Sequence, residues 1–196
     1  MGDNSSKLNR IFLLPGEYCV VKEPSLIATL LGSCVAVCLW DRHRKVAGMN
    51  HFVLPTGPKG NTSATRYGDA AIDVLVGSMS NLGVKIHNLQ AQVFGGAAVV
   101  EHLSSVGSNV GAKNIQIARS CLAEYGIEIV AYDVGGNRGR KIYLDSTTGA
   151  VTVKLIAQSE TTQYRSAKAK MLSQRQIRVL TVDDSPTVLA ILKKLI

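Results

Sequence analysis

The sequence predicts a mixed α/β (α+β) fold, a layered sandwich of mostly antiparallel strands with two main helices. Three observations carry this expectation. Apolar runs of strand length, rich in valine, recur along the chain between turn residues. Two segments, 66–82 and about 113–125, space their apolar residues at the helical period, and Gly83 and Gly126 stand where each should stop. With 196 residues, 46% of them apolar, the chain can bury one real core and carry part of a second domain.

Taken in order, residues 17–22 (EYCVVK) and 26–31 (LIATLL) read as strands flanking a turn at Pro24-Ser25. Residues 34–41 (CVAVCLWD) and 46–54 (VAGMNHFVL) surround the polar patch Arg42, His43, Arg44 and Lys45, the pattern of a β-hairpin. The stretch 55–65 has the composition of an exposed connection that could wall a neighbouring pocket. Helix 66–82 would bury Tyr67, Ala70, Ala71, Val74, Leu75, Met79 and Leu82. A strand at 89–94 precedes Gly95-Gly96. The second helix, beginning near Asn109, would bury Ile115, Ala118, Cys121, Leu122 and Tyr125. A strand at 127–132 leads to Gly135-Gly136-Asn137-Arg138, and strands at 141–144 and 150–156 flank a turn at 146–149.

Beyond this first domain (1–157), residues 158–176 read as a polar, basic linker without apolar period. Residues 177–196 then change character: a buried-type strand, the acidic pair Asp183-Asp184, and an amphipathic helix begun by Ser185-Pro186.

Charge and composition exclude several classes. The net charge is +8, but residues 161–182 hold five cations and no acid, so the remainder carries about +3. Only 5% of residues are aromatic, which argues against a nucleic-acid surface. No apolar run is long enough to span a bilayer and the amino terminus lacks the apolar centre of a signal peptide, so a cytoplasmic protein without membrane insertion is expected. The four cysteines, Cys19, Cys34, Cys38 and Cys121, are then expected as thiols. Cys34 and Cys38 lack the second ligand pair a metal site needs, so no metal and no cofactor are expected.

The hairpin carries the chemistry. A turn centred between Arg42 and His43 would oppose Cys34 directly to His51, placing their Cβ atoms about 4.5–5.5 Å apart. Arg-His is not a favoured two-residue turn, so the register could slip, and even a diagonal pairing would keep the two close. A cysteine beside a histidine is the minimum equipment of an activated thiolate. Gly32-Ser33 would let the backbone turn and offer the amides of Ser33 and Cys34 to an oxyanion. The same pair also fits a bland reading, with a small thiol and a satisfied histidine filling the core.

The stretch TLLGSCVAVCLWD, with His51 seventeen residues after Cys34, resembles the chemoreceptor glutamine deamidase family, CheD. So do PGEYCVVKEP (15–24), VFGGAA (93–98), NVGAKN (109–114) and DVGGNRGRKIYLDSTTG (133–149), in order over about residues 12–157. The resemblance implies conversion of chemoreceptor glutamines to glutamate through a cysteine thioester. In it Cys34 is the nucleophile, His51 the general base and acid, and Thr29 the group that orients the imidazole. Gly95, Gly96, Asn137 and Arg138 are candidates for shaping the substrate groove, although glycines also serve plain tight turns. Arg42, Arg44, Arg138 and Arg140 would face an acidic partner. The implied partners are methyl-accepting chemoreceptors and a CheC-type phosphatase. The alternative is a non-catalytic chemotaxis module that stimulates such a phosphatase, and another cysteine amidase or protease is a third reading. Residues 177–196 resemble the start of a response-regulator receiver domain, as in the methylesterase CheB, whose acidic pair helps hold magnesium. The phosphoacceptor aspartate is missing from the stretch, which therefore reads as a truncated fragment without phosphorylation chemistry.

Overall fold

The computed structural model describes residues 8–58, 64–98 and 110–156. They form nine strands and two α-helices: β1 (Asn9–Leu13), β2 (Tyr18–Val21), β3 (Ser25–Leu31), β4 (Val35–Asp41), β5 (Val46–Asn50), α1 (Gly68–Asn81), β6 (Gln90–Gly95), α2 (Val110–Glu124), β7 (Glu128–Val134), β8 (Arg140–Asp145) and β9 (Val151–Leu155). The basic linker and the receiver-like stretch expected from residue 158 onward lie outside the described residues.

The strands make two sheets, of order β1-β3-β8-β9 and β2-β5-β4-β6-β7. Most neighbours are antiparallel, while β1 with β3 and β6 with β7 are parallel. Strand β4 shows why the layers stack as they do. Its odd residues Val35, Val37 and Leu39 pack with α1 and α2, and its even residues Ala36 and Cys38 pack with Ile27, Ile142 and Leu144 of the other sheet. A strand covered on both faces has no polar face, which accounts for its almost unbroken apolar run. The layers are therefore four-stranded sheet, five-stranded sheet, helices, with one core at each boundary.

The structure departs from the sequence reading in four places. Strand β1 was not expected, because its NRIFL has only three apolar residues and one of them, Phe12, faces outward. The strand expected over 46–54 ends at Asn50. In α1 the core side is Ala71, Ile72, Leu75, Val76 and Met79, with Ala70 and Val74 only half-buried, so the apolar stripe is rotated from the expected one.

The hairpin register also differs. Asp41 pairs with Val46 and Cys38 with Met49, which places the turn one residue later than expected, around His43 and Arg44. Asp41 sets this register: its Oδ1 accepts the backbone N–H groups of His43 (2.8 Å) and Arg44 (3.3 Å), and Lys45 closes the turn at φ 52°. Asx-type capping of the following amides favours this four-residue loop over a tight Arg-His turn.

Candidate active site

Cys34 and His51 stand just outside the hairpin strands, at its open end. Past Cys38–Met49 the ladder loosens: the Asn50 side chain, not a backbone carbonyl, accepts the Val37 N–H at 2.8 Å. The strands meet again at Val35 and Phe52, which exchange hydrogen bonds of 3.1 and 3.0 Å. In this register Cys34 falls opposite Val53 and His51 opposite Ala36. The expected direct opposition is thus replaced by a diagonal relation, for which neighbours lie about 7–8 Å apart. Both side chains take the inter-sheet side of the five-stranded sheet, since Cys34 packs on the core between the sheets and His51 meets β3 of the other sheet. Cys34 is half-buried and His51 is 2% exposed.

Two segments hold the histidine, the turn that follows β1 and strand β3. The turn Leu14-Pro15-Gly16-Glu17 has proline second and Gly16 third at φ 90°, the requirement of a type II turn, closed by Glu17 N–H to Leu14 C=O at 3.0 Å. From it the Gly16 N–H donates to the His51 carbonyl (2.7 Å), and the His51 N–H donates to the Glu17 carbonyl (2.9 Å). Meanwhile Thr29, fully buried on β3, lies 2.7 Å from His51 Nδ1 and donates to the Leu13 carbonyl at 2.8 Å.

This triangle assigns the histidine tautomer. A hydroxyl has one proton, and that of Thr29 goes to Leu13, so the bond to Nδ1 must be donated by the ring. The neutral imidazole then carries its lone pair on Nε2, which is buried and makes no hydrogen bond among the described residues. The reverse tautomer would bury an N–H donor without an acceptor. Burial lowers the His51 pKa from 6.5 to about 4, against the Leu13 carbonyl and the charge of Glu17, which both raise it. His51 is therefore neutral at physiological pH, with its lone pair on Nε2.

The other thiols are unsuited to nucleophilic work. Burial raises Cys19 and Cys121 to about 11 and pushes Cys38 higher still. Among the described residues there is no disulfide and no group of three or more His, Cys, Asp or Glu side chains that could hold a metal ion.

Gly95 and Gly96 lie directly behind Cys34. The Gly96 N–H donates to the Cys34 carbonyl and the Ala97 N–H to that of Gly32, each at 2.8 Å. The glycines thus fasten the Cys34 loop to the end of β6. The next loop is tied to them in turn, with Gly135 N–H on the Gly95 carbonyl (2.8 Å) and Ala98 N–H on that of Gly136 (2.7 Å). Asn137 and Arg138 are exposed on this loop, and Arg138 Nε donates to the Ile156 carbonyl at 3.2 Å.

Arg42, Arg44 and Arg140, expected to face an acidic partner, do not gather at the site. Arg42 and Arg44 belong to the hairpin turn, a seven-residue strand away from Cys34, or about 20 Å. Arg140 is 3% exposed, pairs with Asp133 at 2.8 Å and binds the Asp133 and Gly135 carbonyls. It braces β7 against β8 and is not available to a partner.

Sequence reasoning missed Asn114. Its Nδ2 donates to the Ser33 carbonyl (3.0 Å) and the Val53 carbonyl (2.9 Å), joining the segments that carry Cys34 and His51. The signal was present: Asn114 is a polar residue on the buried stripe Gly111, Asn114, Ala118, Cys121, Leu122 of α2. The Leu13 carbonyl was also missed, because β1 was.

Comparison with known proteins places the chain among relatives of one family. The family model "CheD chemotactic sensory transduction" matches residues 53–155. A Rhodospirillum rubrum protein named probable chemoreceptor glutamine deamidase CheD is 48% identical over 145 residues, covering 74% of this chain and 81% of that protein. One of the same name from Sulfurimonas denitrificans is 44% identical over 149 residues, covering 76% and 96%. The chemoreceptor glutamine deamidase CheD of Thermotoga maritima is 39% identical over 146 residues, covering 74% and 91%. With a family model matched over more than half its length and relatives this similar over most of theirs, the chain belongs to the CheD family.

Proposed function

We propose that this chain is a chemoreceptor glutamine deamidase, a protein-glutamine glutaminase that uses Cys34 as nucleophile, His51 as general base and acid, and Thr29 to orient the imidazole. The observation that carries the reading is the buried Thr29–His51 bond, whose hydroxyl proton on Leu13 leaves the imidazole lone pair on Nε2, on a residue diagonal to Cys34 across the hairpin. The names of the relatives supply the substrate class.

The steps follow from these atoms. Burial keeps the resting imidazole neutral, so His51 is ready to accept a proton. As the glutamine side chain arrives, Nε2 takes the thiol proton and sulfur bonds to the amide carbon. The carbonyl electron pair moves onto oxygen, with the backbone N–H groups of Ser33 and Cys34 as the donors that stabilise it. Collapse restores the carbonyl and breaks the C–N bond, while the imidazolium hands its proton to departing ammonia. Water, deprotonated by His51, then attacks the thioester, giving glutamate and returning the thiol. The exposed loop of Asn137 and Arg138, fastened to Gly95 and Gly96 behind Cys34, forms a rim of the substrate groove.

The test is intact mass and peptide mapping of a chemoreceptor cytoplasmic fragment incubated with the protein or with Cys34→Ala. An amide-to-acid mass gain at defined glutamines, seen only with the native protein, is expected. Turnover by Cys34→Ala would overturn the assignment of the nucleophile. No conversion of any receptor by the native protein, together with stimulation of a CheC-type phosphatase, would favour the non-catalytic binding module instead.

A further inference from the structure

We propose that Asn114 is a positioning residue for the Cys34–His51 pair, a clamp on α2 that fixes the separation of the segments carrying nucleophile and base. The inference rests on the Cys34–His51 reading given above.

The clamp lies where the backbone needs one. Between the Cys38–Met49 pair and the Val35–Phe52 bridge the β4–β5 ladder is already loose, and the strand ladder does not extend beyond the bridge. There the carboxamide of Asn114 spans the two segments, with one Nδ2 proton on Ser33, which precedes Cys34, and the other on Val53, two residues after His51. A primary amide offers two donors from one atom without charge, which no apolar residue and no hydroxyl can do.

The clamp also has a fixed seat. Gly111, one turn before Asn114, lies so close to the Gly96 carbonyl that a methyl group there would overlap it, and Gly96 itself binds the Cys34 carbonyl. On the following turn, Ile117 packs against Gly68 at the start of α1, where the Phe52 ring also lies. Helix α2 is thus held flush against the supports of both reactive residues, so the reach of the Asn114 side chain is set by packing.

Stability alone does not explain an asparagine at this position. Asn114 is fully buried, and its Oδ1 makes no hydrogen bond among the described residues. An unsatisfied buried oxygen carries a desolvation penalty that leucine on the same stripe would avoid. Leucine there would supply neither of the two donors.

Three proteins test the role against a control: Asn114→Leu, Asn114→Asp, which keeps the shape but loses the paired donors, and His51→Ala. The readouts are kcat and KM for receptor deamidation and the pH profile of Cys34 alkylation by iodoacetamide. Asn114→Leu should lose about 100-fold in kcat, the effect of misplacing reacting groups by a fraction of a bond length or more, with KM within a few-fold of native. Its alkylation profile should move toward that of His51→Ala. Should Asn114→Leu fail to fold, Asn114→Asp carries the same comparison. Native kcat and a native alkylation profile in the folded variant would overturn the role, whatever happens to its melting temperature. An unchanged alkylation profile in His51→Ala would instead sink the Cys–His reading itself, and this inference with it.

Discussion

Removing the Thr29 hydroxyl while keeping the side chain's shape isolates the link between the two sheets. Thr29→Val retains the β-branched outline and the strand preference, so packing on β3 is preserved. Two hydrogen bonds vanish: Thr29 to Leu13 (2.8 Å) and His51 Nδ1 to Thr29 (2.7 Å). Each buried group left unpaired costs about 1–3 kcal/mol. The Leu13 carbonyl is itself near enough to the ring to raise the His51 pKa, so the two orphaned groups can partly satisfy one another. The stability loss should then sit near the low end, about 2 kcal/mol. Activity should suffer independently. A ring no longer held by about 1–3 kcal/mol presents Nε2 correctly less often, which lowers kcat by about 5- to 150-fold. KM should stay put, because Thr29 is fully buried and out of a substrate's reach. Thr29→Ser should recover most of both losses. Deamidation kinetics by mass spectrometry and urea unfolding measure the two effects separately. A Thr29→Val protein with native kcat, or a Thr29→Ser protein as impaired as Thr29→Val, would refute the orienting role.

Two further expectations follow from the titratable groups. His51 is held near 4 when folded and returns to about 6.5 when unfolded, so below pH 6.5 the unfolded chain binds a proton that the folded one refuses. Its contribution is complete above pH 6.5 and declines as pH falls toward 4, by about 3 kcal/mol in all. Urea midpoints over this range should show that acid slope, and His51→Gln should flatten it; an equal slope in the variant would remove His51 as its source. In native-state alkylation Cys34 should react first. Raising Cys19 from 9.0 to about 11 leaves it about 100-fold less thiolate than an ordinary thiol, and Cys38 and Cys121 are buried as well. Peptide mapping that found Cys19 or Cys121 labelled ahead of Cys34 would contradict this ordering.

What the sequence could tell follows from which interactions are local. The apolar runs of β3, β4 and β6 and the periods of α1 and α2 are local signals, and all five elements appear within a few residues of where the pattern places them. That Cys34 and His51 flank the open end of one hairpin was legible because a hairpin is itself a short-range motif. The exact register was not, since it turns on whether Asp41 caps His43 and Arg44, a side-chain choice that apolar alternation does not encode. Strand β1 was hidden because an edge strand buried on one face needs few apolar residues, and its parallel pairing with β3 is not announced by any turn. The Leu13 carbonyl went with it. Asn114 could be located only by asking why an asparagine sits on a buried helical stripe, a question that needs the helix phase in hand.

The two parallel layers of strands give the site an unusual dependence. Cys34 and His51 flank strands of one sheet, whereas the Thr29 hydroxyl that holds the His51 ring belongs to the other. A small slide of one sheet over the other would leave every strand, both helices and the Cys34–His51 pairing in place, yet would part Thr29 from His51. Reactivity is therefore a gauge of how well the seam between Ile27, Met49, Phe94 and Ile142 is registered. Changes in that seam, remote from any substrate, should silence the protein while its secondary structure and much of its stability persist.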